Sequence, residues 1–509
     1  MSTRSLPAPD RAARLREALL VAGFTADGLL ELLGAAAYTA LARAETVPAL
    51  RATRGDGPLE TLVRLFLLQR PVPRERAAAA LPEDALAACL ADGWLEERED
   101  GVRATLDLRP YGGPDGQDWF IASDLGCAVG GAGGIGSGDE GVVLGVGGAS
   151  TTLAGITVRT PVGSALDIGT GSGIQALHAA QYATRVTATD LNPRALAFTR
   201  LTLALSGVKT DADLREGSLF EPLAEGETFD LVVSNPPFVI SPGARLTYRD
   251  GGMAGDDLCR AIVQEAGVRL TEGGFAQFLV NWQEVDGEEW QDRLRSWVPR
   301  ECDAWIVRRE VQDVTQYAEL WLRDAGDHRG DAEAYGARYD EWLDAFEASG
   351  TRSVGFGWIT LRRSAEAAAG RASVVVEDWP HPVEQPLGET VRAHFARQDY
   401  LRARDDAGLL ADSFLLAPEV VQEQVGTVGA EDPEHVVLRS NRGMRRATEV
   451  DTVGAGFAGV CDGSLSAGQI LDAIAQLLDE DPVTLRDRAP AQIRTLIELG
   501  FLVPAGLDG

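Results

Sequence analysis

The sequence predicts an α/β protein, in which a parallel sheet with helices on both faces lies between two mainly helical, winged-helix-like domains. Strand-like and helix-like segments alternate from about residue 160 to 300, and this alternation places consecutive strands parallel. A glycine-rich turn joins the first of these strands to its helix, and both ends of the chain carry apolar residues at helical spacing. We therefore expect three domains, over residues 1–110, 111–380 and 388–509.

The composition is that of a globular protein with room for these domains. The chain has 509 residues, of which 45% are hydrophobic, and domains hold about 150 residues each. No apolar run reaches the ~18 residues of a membrane helix, and the first residues lack the pattern of a secretory signal. The sequence therefore predicts a cytoplasmic protein without membrane contact.

The charge balance bears on the class of partner. The formal net charge is -30, which disfavours a long phosphate backbone because counterion release needs Lys and Arg contacts. One compact basic cluster stands against this trend, "RSNRGMRRATEV" at 439–450. It is interpreted as a solvated loop, with contact to RNA phosphates as the alternative.

The cysteines predict reduced, buried thiols and no metal site. They are scattered along the chain without close pairs, which fits neither a disulfide framework nor a zinc site. The five residues are Cys89, Cys127, Cys259, Cys302 and Cys461.

The flanking and connecting segments give weaker signals. Residues 1–110 read as helices followed by a short strand-like alternation, which fits a winged-helix-like module or a plain helical cap. The glycine-rich stretch 128–150 lacks the Gly-Lys-Ser/Thr ending of a phosphate loop and predicts a surface loop. Within the core, 313–349 predicts a helical insert between two closing strands. From 388 onward, two helices followed by "GFLV" predict a second winged-helix-like module.

A candidate cofactor site lies in "ALDIGTGSGIQAL", where Gly169, Gly171 and Gly173 separate a strand from a helix. Glycine allows the backbone to approach a ligand closely. Asp190 ends the next strand about twenty residues on, the spacing that holds ribose hydroxyls in nucleotide-binding folds. Asp167, at the tip of the first strand, would repel a pyrophosphate but attract the ammonium of a methionine moiety. This charge favours S-adenosyl-L-methionine over a dinucleotide.

The same pattern resembles motif I of the class I S-adenosylmethionine-dependent methyltransferases. The resemblance implies a Rossmann-like core that binds this cofactor through the acidic residues and glycines just named. It also implies a place beside the adenine for Ser218 in "REGSLFEP". The family commonly has an acid near this position, and a serine hydroxyl can still accept a hydrogen bond.

A candidate acceptor site follows in "FDLVVSNPPFVISP". Pro236 and Pro237 end the strand because proline cannot donate to a sheet ladder. The Asn235 side-chain oxygen and the Pro236 carbonyl can accept the two N–H bonds of a planar amino group. Such contacts favour a pyramidal nitrogen and free its lone pair. Phe238 offers a face on which the planar group can stack. These four residues are the predicted catalytic set.

This stretch is similar to the Asn-Pro-Pro-Tyr/Phe signature of the HemK-like methyltransferases, which read Asn-Pro-Pro-Tyr-Val. Phe238 replaces the tyrosine, and Val239 stands where guanine-N2 ribosomal RNA enzymes tend to have histidine. The resemblance implies an N-methyltransferase that acts on a protein glutamine, with a translation factor as one candidate. The alternative acceptor is an exocyclic amino group, adenine N6 or guanine N2, in rRNA or DNA. A sensor of the cofactor needs no acceptor holder, so the intact signature disfavours a non-enzymatic role.

Two neighbouring features are expected to be structural. Ser150 to Thr152 are interpreted as the N-cap of a helix rather than as a cover of the cofactor. Trp282, at the end of the fifth strand, is expected to pack in the core.

Overall fold

The computed structural model describes residues 9–41, 43–126, 141–210, 212–242, 253–428 and 433–506. Its contacts divide the chain into two compact units, one of residues 1–154 with 160–379 and one of residues 155–159 with 380–509. The N-terminal helices and the central sheet belong to the same unit. The predicted boundary near residue 110 therefore does not separate compact units, and the division into three domains stays a prediction.

In the N-terminal part, helices come before two hairpins. In the described residues, six α-helices and one π-helical turn, Val63–Leu67, precede the first hairpin, and Val72 bridges to Val102 in that hairpin. The elements are α1 Pro9–Val21, α2 Ala26–Leu41, α3 Val47–Ala52, α4 Pro58–Leu62, α5 Arg74–Ala80, α6 Glu83–Ala91, β1 Leu95–Arg98 and β2 Gly101–Ala104. A second hairpin follows, with β3 Asp107–Gly112 and β4 Asp118–Ser123.

The core of the first unit is an eight-stranded sheet. Its strands are β5 Val162–Ile168, β6 Ala183–Asp190, β7 Ala212–Glu216, β8 Phe229–Ser234, β9 Leu270–Val285, β10 Cys302–Asp313, β11 Thr351–Arg363 and β12 Val374–Asp378, in the order β12-β10-β11-β9-β8-β5-β6-β7. The helices among them are α7 Gly148–Ile156, α8 Ile174–Ala179, α9 Pro193–Leu205, α10 Asp257–Val268 and α11 Trp290–Trp297. This architecture confirms the predicted α/β class.

The strand order reverses beside β5. From β5 the chain moves outward to β6 and β7, then returns to place β8 on the other side of β5. β5, β6, β7, β8 and β9 run parallel, so their carboxyl ends share one edge. In open α/β sheets, ligands bind outside the carboxyl ends of the strands at such a switch point. The gap between β5 and β8 is therefore the expected binding position.

The sheet is closed by a strand of the opposite direction, because β11 runs antiparallel to both β9 and β10. The chain leaves β10 at Asp313 and forms α12 Val314–Asp324 and α13 Ala332–Ala348, where the sequence predicts an insert. It then re-enters the sheet at Thr351. Because Asp313 pairs with Ser353 at the start of β11, the insert lies at the edge that carries the carboxyl ends of β5 and β8. The short helix α14 Ala365–Ala368 leads to β12.

The N-terminal part packs on one face of this sheet through α9. Side chains of α1, α2 and β4 share a buried apolar cluster with Phe198 and Leu201 of α9. The Thr202 hydroxyl accepts a hydrogen bond from the Ala122 backbone N–H at 3.1 Å. Arg16 donates to the Leu205 carbonyl at 3.0 Å. The N-terminal helices thus support the sheet rather than standing apart from it.

The second unit is a mixed helical and sheet structure. Its elements are α15 Gly388–Arg402, α16 Asp406–Ala411, β13 Ser413–Leu416, β14 Val420–Val425, β15 His435–Ser440, β16 Ala447–Val450, α17 Thr452–Gly459, β17 Asp462–Ser466, α18 Ala467–Leu478, α19 Pro482–Glu498 and β18 Leu502–Pro504. They form two three-stranded sheets, β17-β13-β18 and β14-β15-β16. The predicted helix, turn, helix and "GFLV" strand correspond to α18, α19 and β18.

The thiols of the described residues behave as the sequence predicts. Cys89, Cys259, Cys302 and Cys461 are free and buried, and burial raises the pKa of each to about 12. Cys127 lies outside the described residues, as do positions 128–140 of the glycine-rich loop.

Membrane and metal criteria give two findings. In the described ranges, no single helix is long and apolar enough to cross a membrane, although Arg11–Val21 and Ala26–Leu41 pass the length and composition test as a pair bent by 46°. The same ranges contain no group of three or more His, Cys, Asp or Glu side chains that could hold a metal ion.

Candidate active site

In the glycine turn after β5, one glycine is closely packed against a neighbouring helix and the other two face open space. Gly169, Gly171 and Gly173 have φ of +68°, +56° and +84°, a region that other residues rarely adopt. A Cβ on Gly173 would lie 2.8 Å from the Thr199 Cα in α9, whereas one on Gly169 or Gly171 would meet nothing within 4 Å. Gly173 therefore lets α9 approach, and the other two glycines leave open space at the strand ends.

Asp167 lies at the buried end of β5, with 2% of its surface exposed. Its Oδ2 accepts hydrogen bonds from the Thr170 hydroxyl at 2.7 Å and from the Ala176 backbone N–H, in the first turn of α8, at 3.0 Å. Burial outweighs these two bonds and raises the pKa of the carboxyl to about 7. Asp167 thus holds the glycine turn between strand and helix and titrates near neutral pH.

Asp190 joins the end of β6 to the same turn, as the sequence spacing predicts. Its Oδ2 accepts the Gly171 N–H at 3.0 Å, and its Oδ1 accepts the Asn192 N–H at 2.8 Å. Burial raises the pKa of this carboxyl. Each oxygen keeps a further lone pair for a hydroxyl donor. Leu191, which follows, leaves 69% of its surface exposed and was not singled out by the sequence.

Ser218 follows the end of β7 and lies beside Asp190. The Gly217 N–H donates to the Asp190 backbone carbonyl at 3.0 Å, and Ser218 is half-buried. Ser218 also borders an open groove of about 610 Å³ between this turn and α10. None of the other predicted site residues lines that groove, so it is separate from the gap between β5 and β8.

Asn235 follows β8 directly at the switch point. The buried Ser234 hydroxyl donates to the Ile168 carbonyl at 2.8 Å, which ties the ends of β8 and β5 together. The Asn235 Nδ2 donates to the Ser150 hydroxyl at 3.2 Å. Its Oδ1 is buried and has no hydrogen-bond partner among the described residues. An unsatisfied buried acceptor costs about 1–3 kcal/mol. A ligand that donates a hydrogen bond to this oxygen would remove that cost.

The three residues after Asn235 form an irregular, extended segment. Pro236 is buried, whereas Pro237 and Phe238 are half-buried. The Phe238 ring packs against two apolar clusters, one in the core between the sheet and α10 and one that contains the insert helices. The segment is thus enclosed between the sheet and the insert, with part of the ring left uncovered.

Two sequence expectations about neighbouring residues have different outcomes. Ser150 lies inside α7, which begins at Gly148, so the N-cap interpretation is wrong. Its carbonyl accepts a hydrogen bond from the Gln175 Nε2 at 2.8 Å, which fixes α7 against α8. Trp282 is fully buried and stacks on Trp290 at 5.8 Å between ring centroids, so the packing interpretation is confirmed.

Sequence reasoning missed two residues that support residues 235–240, the acceptor segment. Tyr317 in α12 binds Ile240 of this segment, and Asn281 in β9 binds the Tyr317 hydroxyl. A tyrosine at a helical position inside an insert gives no signal of this contact.

The different surroundings of the glycines predict different costs of substitution. We expect Gly171→Ala to lose about 1–2 kcal/mol, the cost of a left-handed backbone in a residue with a Cβ. Gly173→Ala should lose clearly more, because its Cβ would also overlap α9. Urea unfolding of the two variants measures the difference, and equal losses would contradict the packing role of Gly173.

Three segments of the chain match family models. Residues 147–290 match the model described as "Methyltransferase small domain". Residues 21–105 and 392–504 match DUF7059 and DUF7782, each described as a domain of unknown function. The methyltransferase match covers the glycine turn, Asp190 and the acceptor segment.

Similar proteins carry two kinds of name. The release factor glutamine methyltransferase of Deinococcus radiodurans is 41% identical over 123 residues, which cover 21% of this chain and 42% of that protein. The ribosomal RNA small subunit methyltransferase C of Idiomarina loihiensis is 33% identical over 129 residues, which cover 25% of this chain and 34% of that protein. The chain thus spans less than half the length of these curated relatives.

A solved structure matches at low similarity. It is a SAM-dependent methyltransferase from Thiobacillus denitrificans in complex with S-adenosyl-L-homocysteine, with a TM-score of 0.25 and 16% identity over 43% of this chain and 92% of that one. The family match over residues 147–290 confirms the predicted resemblance to a methyltransferase, since this part of the chain matches the methyltransferase small domain.

Proposed function

We propose that the chain is an S-adenosylmethionine-dependent N-methyltransferase whose acceptor is the side-chain amide of a protein glutamine. The observation that carries this proposal is the Asn235 Oδ1, a buried acceptor without a partner among the described residues, next to the glycine turn. The names of several similar proteins, release factor glutamine methyltransferase among them, support the glutamine acceptor. A translation factor is accordingly our candidate partner, and the cytoplasm our candidate location.

The residues around the turn fit the cofactor. Gly169 and Gly171 face open space, and the Asp190 oxygens can accept ribose hydroxyls. Asp167 would lie near the ammonium of the methionine moiety, and Ser218 near the adenine. S-adenosylmethionine, when bound, supplies a methyl group on a positively charged sulfur.

The acceptor residues fit an amide nitrogen. The lone pair of such a nitrogen is delocalised into its carbonyl, so it is a poor nucleophile. If one N–H donates to the Asn235 Oδ1 and the other to the Pro236 carbonyl, the nitrogen is held toward a pyramidal geometry and its lone pair is released. Positive charge would build on the nitrogen as its bond to the methyl carbon forms and the bond from that carbon to sulfur breaks, with the electron pair left on sulfur. Both acceptors would then bind the nitrogen's hydrogens more tightly. The extra proton leaves to solvent afterwards.

The charges at the acceptor edge favour a protein over a nucleic acid. The insert at this edge, residues 313–349, contains ten acidic side chains against three of Lys or Arg. A polyanion approaching this edge would be repelled. A neutral or basic segment of polypeptide would not be repelled, so it can approach this edge without an electrostatic penalty.

The features that favoured nucleic acid are weakened by the structure. In the basic cluster, Arg439 pairs with Glu423 at 2.7 Å and Arg442 with Glu419 at 3.1 Å, so two of its charges are already neutralised. The winged-helix-like stretch of residues 83–100 carries seven acidic side chains and one basic one.

Methylation of an RNA or DNA amino group is the second candidate, supported by the similarity to ribosomal RNA methyltransferase C.

Removal of the acceptor amide tests the proposal. Asn235→Ala should lower methyl transfer by about 10²–10³-fold, the cost of one lost transition-state acceptor or donor. Its affinity for S-adenosylmethionine should stay near that of the wild type. The assay is transfer of labelled methyl to an extract of cells that lack this protein, with calorimetry for the cofactor.

The matched control is Asn441→Ala, which truncates an exposed asparagine of the second unit and should leave transfer unchanged. Full activity of the Asn235 variant would exclude Asn235 as the acceptor holder.

The raised pKa of Asp167 predicts a pH dependence of cofactor binding. The carboxyl is largely protonated below its pKa of about 7 and charged above it, and only the charged form attracts the ammonium. Affinity for S-adenosylmethionine should therefore rise between about pH 5.5 and 7.5, below the ordinary pKa of an α-amino group. In Asp167→Asn this rise should be absent. Titration calorimetry at several pH values measures it, and a flat wild-type profile would show that Asp167 only supports the turn.

A further inference from the structure

The insert makes a specific contact with the acceptor segment. The Tyr317 hydroxyl, in α12, accepts the Ile240 backbone N–H at 2.9 Å. The same hydroxyl accepts the Asn281 Nδ2–H at 3.1 Å. Asn281 belongs to β9, the strand next to β8. One phenol thus links the insert, the sheet and the end of the acceptor segment.

This contact adds a directional hydrogen bond to the apolar packing of Val239 and Ile240. Pro236 and Pro237 have no N–H groups, so the backbone cannot be held by donors at these positions. Beyond the two prolines, the Ile240 backbone N–H is held by the Tyr317 hydroxyl. Ile240 is 4% exposed, so water cannot replace the phenol without rearrangement.

The Tyr317 ring is itself rigidly held. It is fully buried, and its aromatic neighbours have centroids 5.6–6.1 Å away: Trp321, Trp342, Phe346 and Phe356. Val239 and Ile240 pack on the same apolar cluster. Burial raises the pKa of the phenol far above neutral pH, so the hydroxyl is uncharged over the working range. Its position is therefore set by the insert.

We propose that Tyr317 is a positioning residue for methyl transfer, through which the insert sets the geometry of the acceptor site. By holding Ile240, it fixes the Asn235 Oδ1 and the Pro236 carbonyl relative to the glycine turn. The inference rests on the proposed function, because it assigns the insert a role at that same site. A displacement of about 1 Å at a reacting centre can cost about 10²-fold in rate.

The test compares Tyr317→Phe with Tyr339→Phe. The first keeps the ring and its packing but removes the acceptor of the Ile240 N–H. The second removes a hydroxyl that donates to the Thr315 carbonyl within the insert and that makes no hydrogen bond to the described residues of the acceptor segment. For each variant we would measure the maximal rate of labelled methyl transfer to the same cell extract, the KM for S-adenosylmethionine, the melting temperature, and amide hydrogen exchange at Ile240.

For Tyr317→Phe we expect faster exchange at Ile240 and a maximal rate lower by about 10–100-fold, with the KM for S-adenosylmethionine unchanged. Tyr339→Phe should match the wild type in all of these. A purely structural role would instead lower the melting temperature without changing the rate of the folded enzyme.

Three outcomes would overturn the inference. Unchanged exchange at Ile240 in Tyr317→Phe would show that the hydroxyl is not the anchor. Faster exchange with an unchanged rate would show that the anchor does not position the acceptors. If the wild type transfers no methyl while it binds the cofactor, the proposed function fails and the positioning role fails with it; the exchange data keep these cases apart.

Discussion

The candidate site depends on the junction between β5 and β8. Ile168 and Ser234 are paired in register, and the Ser234 hydroxyl binds the Ile168 carbonyl. The glycine turn begins immediately after Ile168, and the acceptor segment begins immediately after Ser234. A slip of either strand would separate the two, so the proposed methyl donor and acceptor amide could meet only while this junction is intact.

The rest of the first unit supports the two segments that leave this junction. The turn is held by Asp167, Asp190 and the approach of α9 to Gly173. The acceptor segment has no backbone N–H at its two prolines. Side chains of α7 and of the insert form hydrogen bonds with it instead. Among the described residues, the Asn235 oxygen is buried without a donor, and a ligand that donates to it would compensate this cost.

The parts of the site that are local in sequence could be predicted from it. Glycines at positive φ, an acid at the next strand end and a strand stopped by two prolines each leave a pattern within a few residues. The supporting contacts could not be predicted in this way. Tyr317 lies 77 residues from Ile240. The direction of β11 depends on the insert, which begins and ends at the same edge of the sheet and so returns the chain antiparallel to β10. The strands β7 and β12 and the β14–β16 sheet were also missed, since they are short or partly exposed and lack clear alternation.

The measurement that tests the central claim most directly is the chemical identity of the methylated product. Label from S-adenosylmethionine would be transferred to an extract of cells that lack this protein, and portions would be digested with protease or with nuclease before fractionation. We predict that protease alone releases the label, and that mass spectrometry finds the added methyl on a glutamine side chain. Label released by nuclease alone would contradict the protein acceptor and move the activity to the amino groups of RNA or DNA.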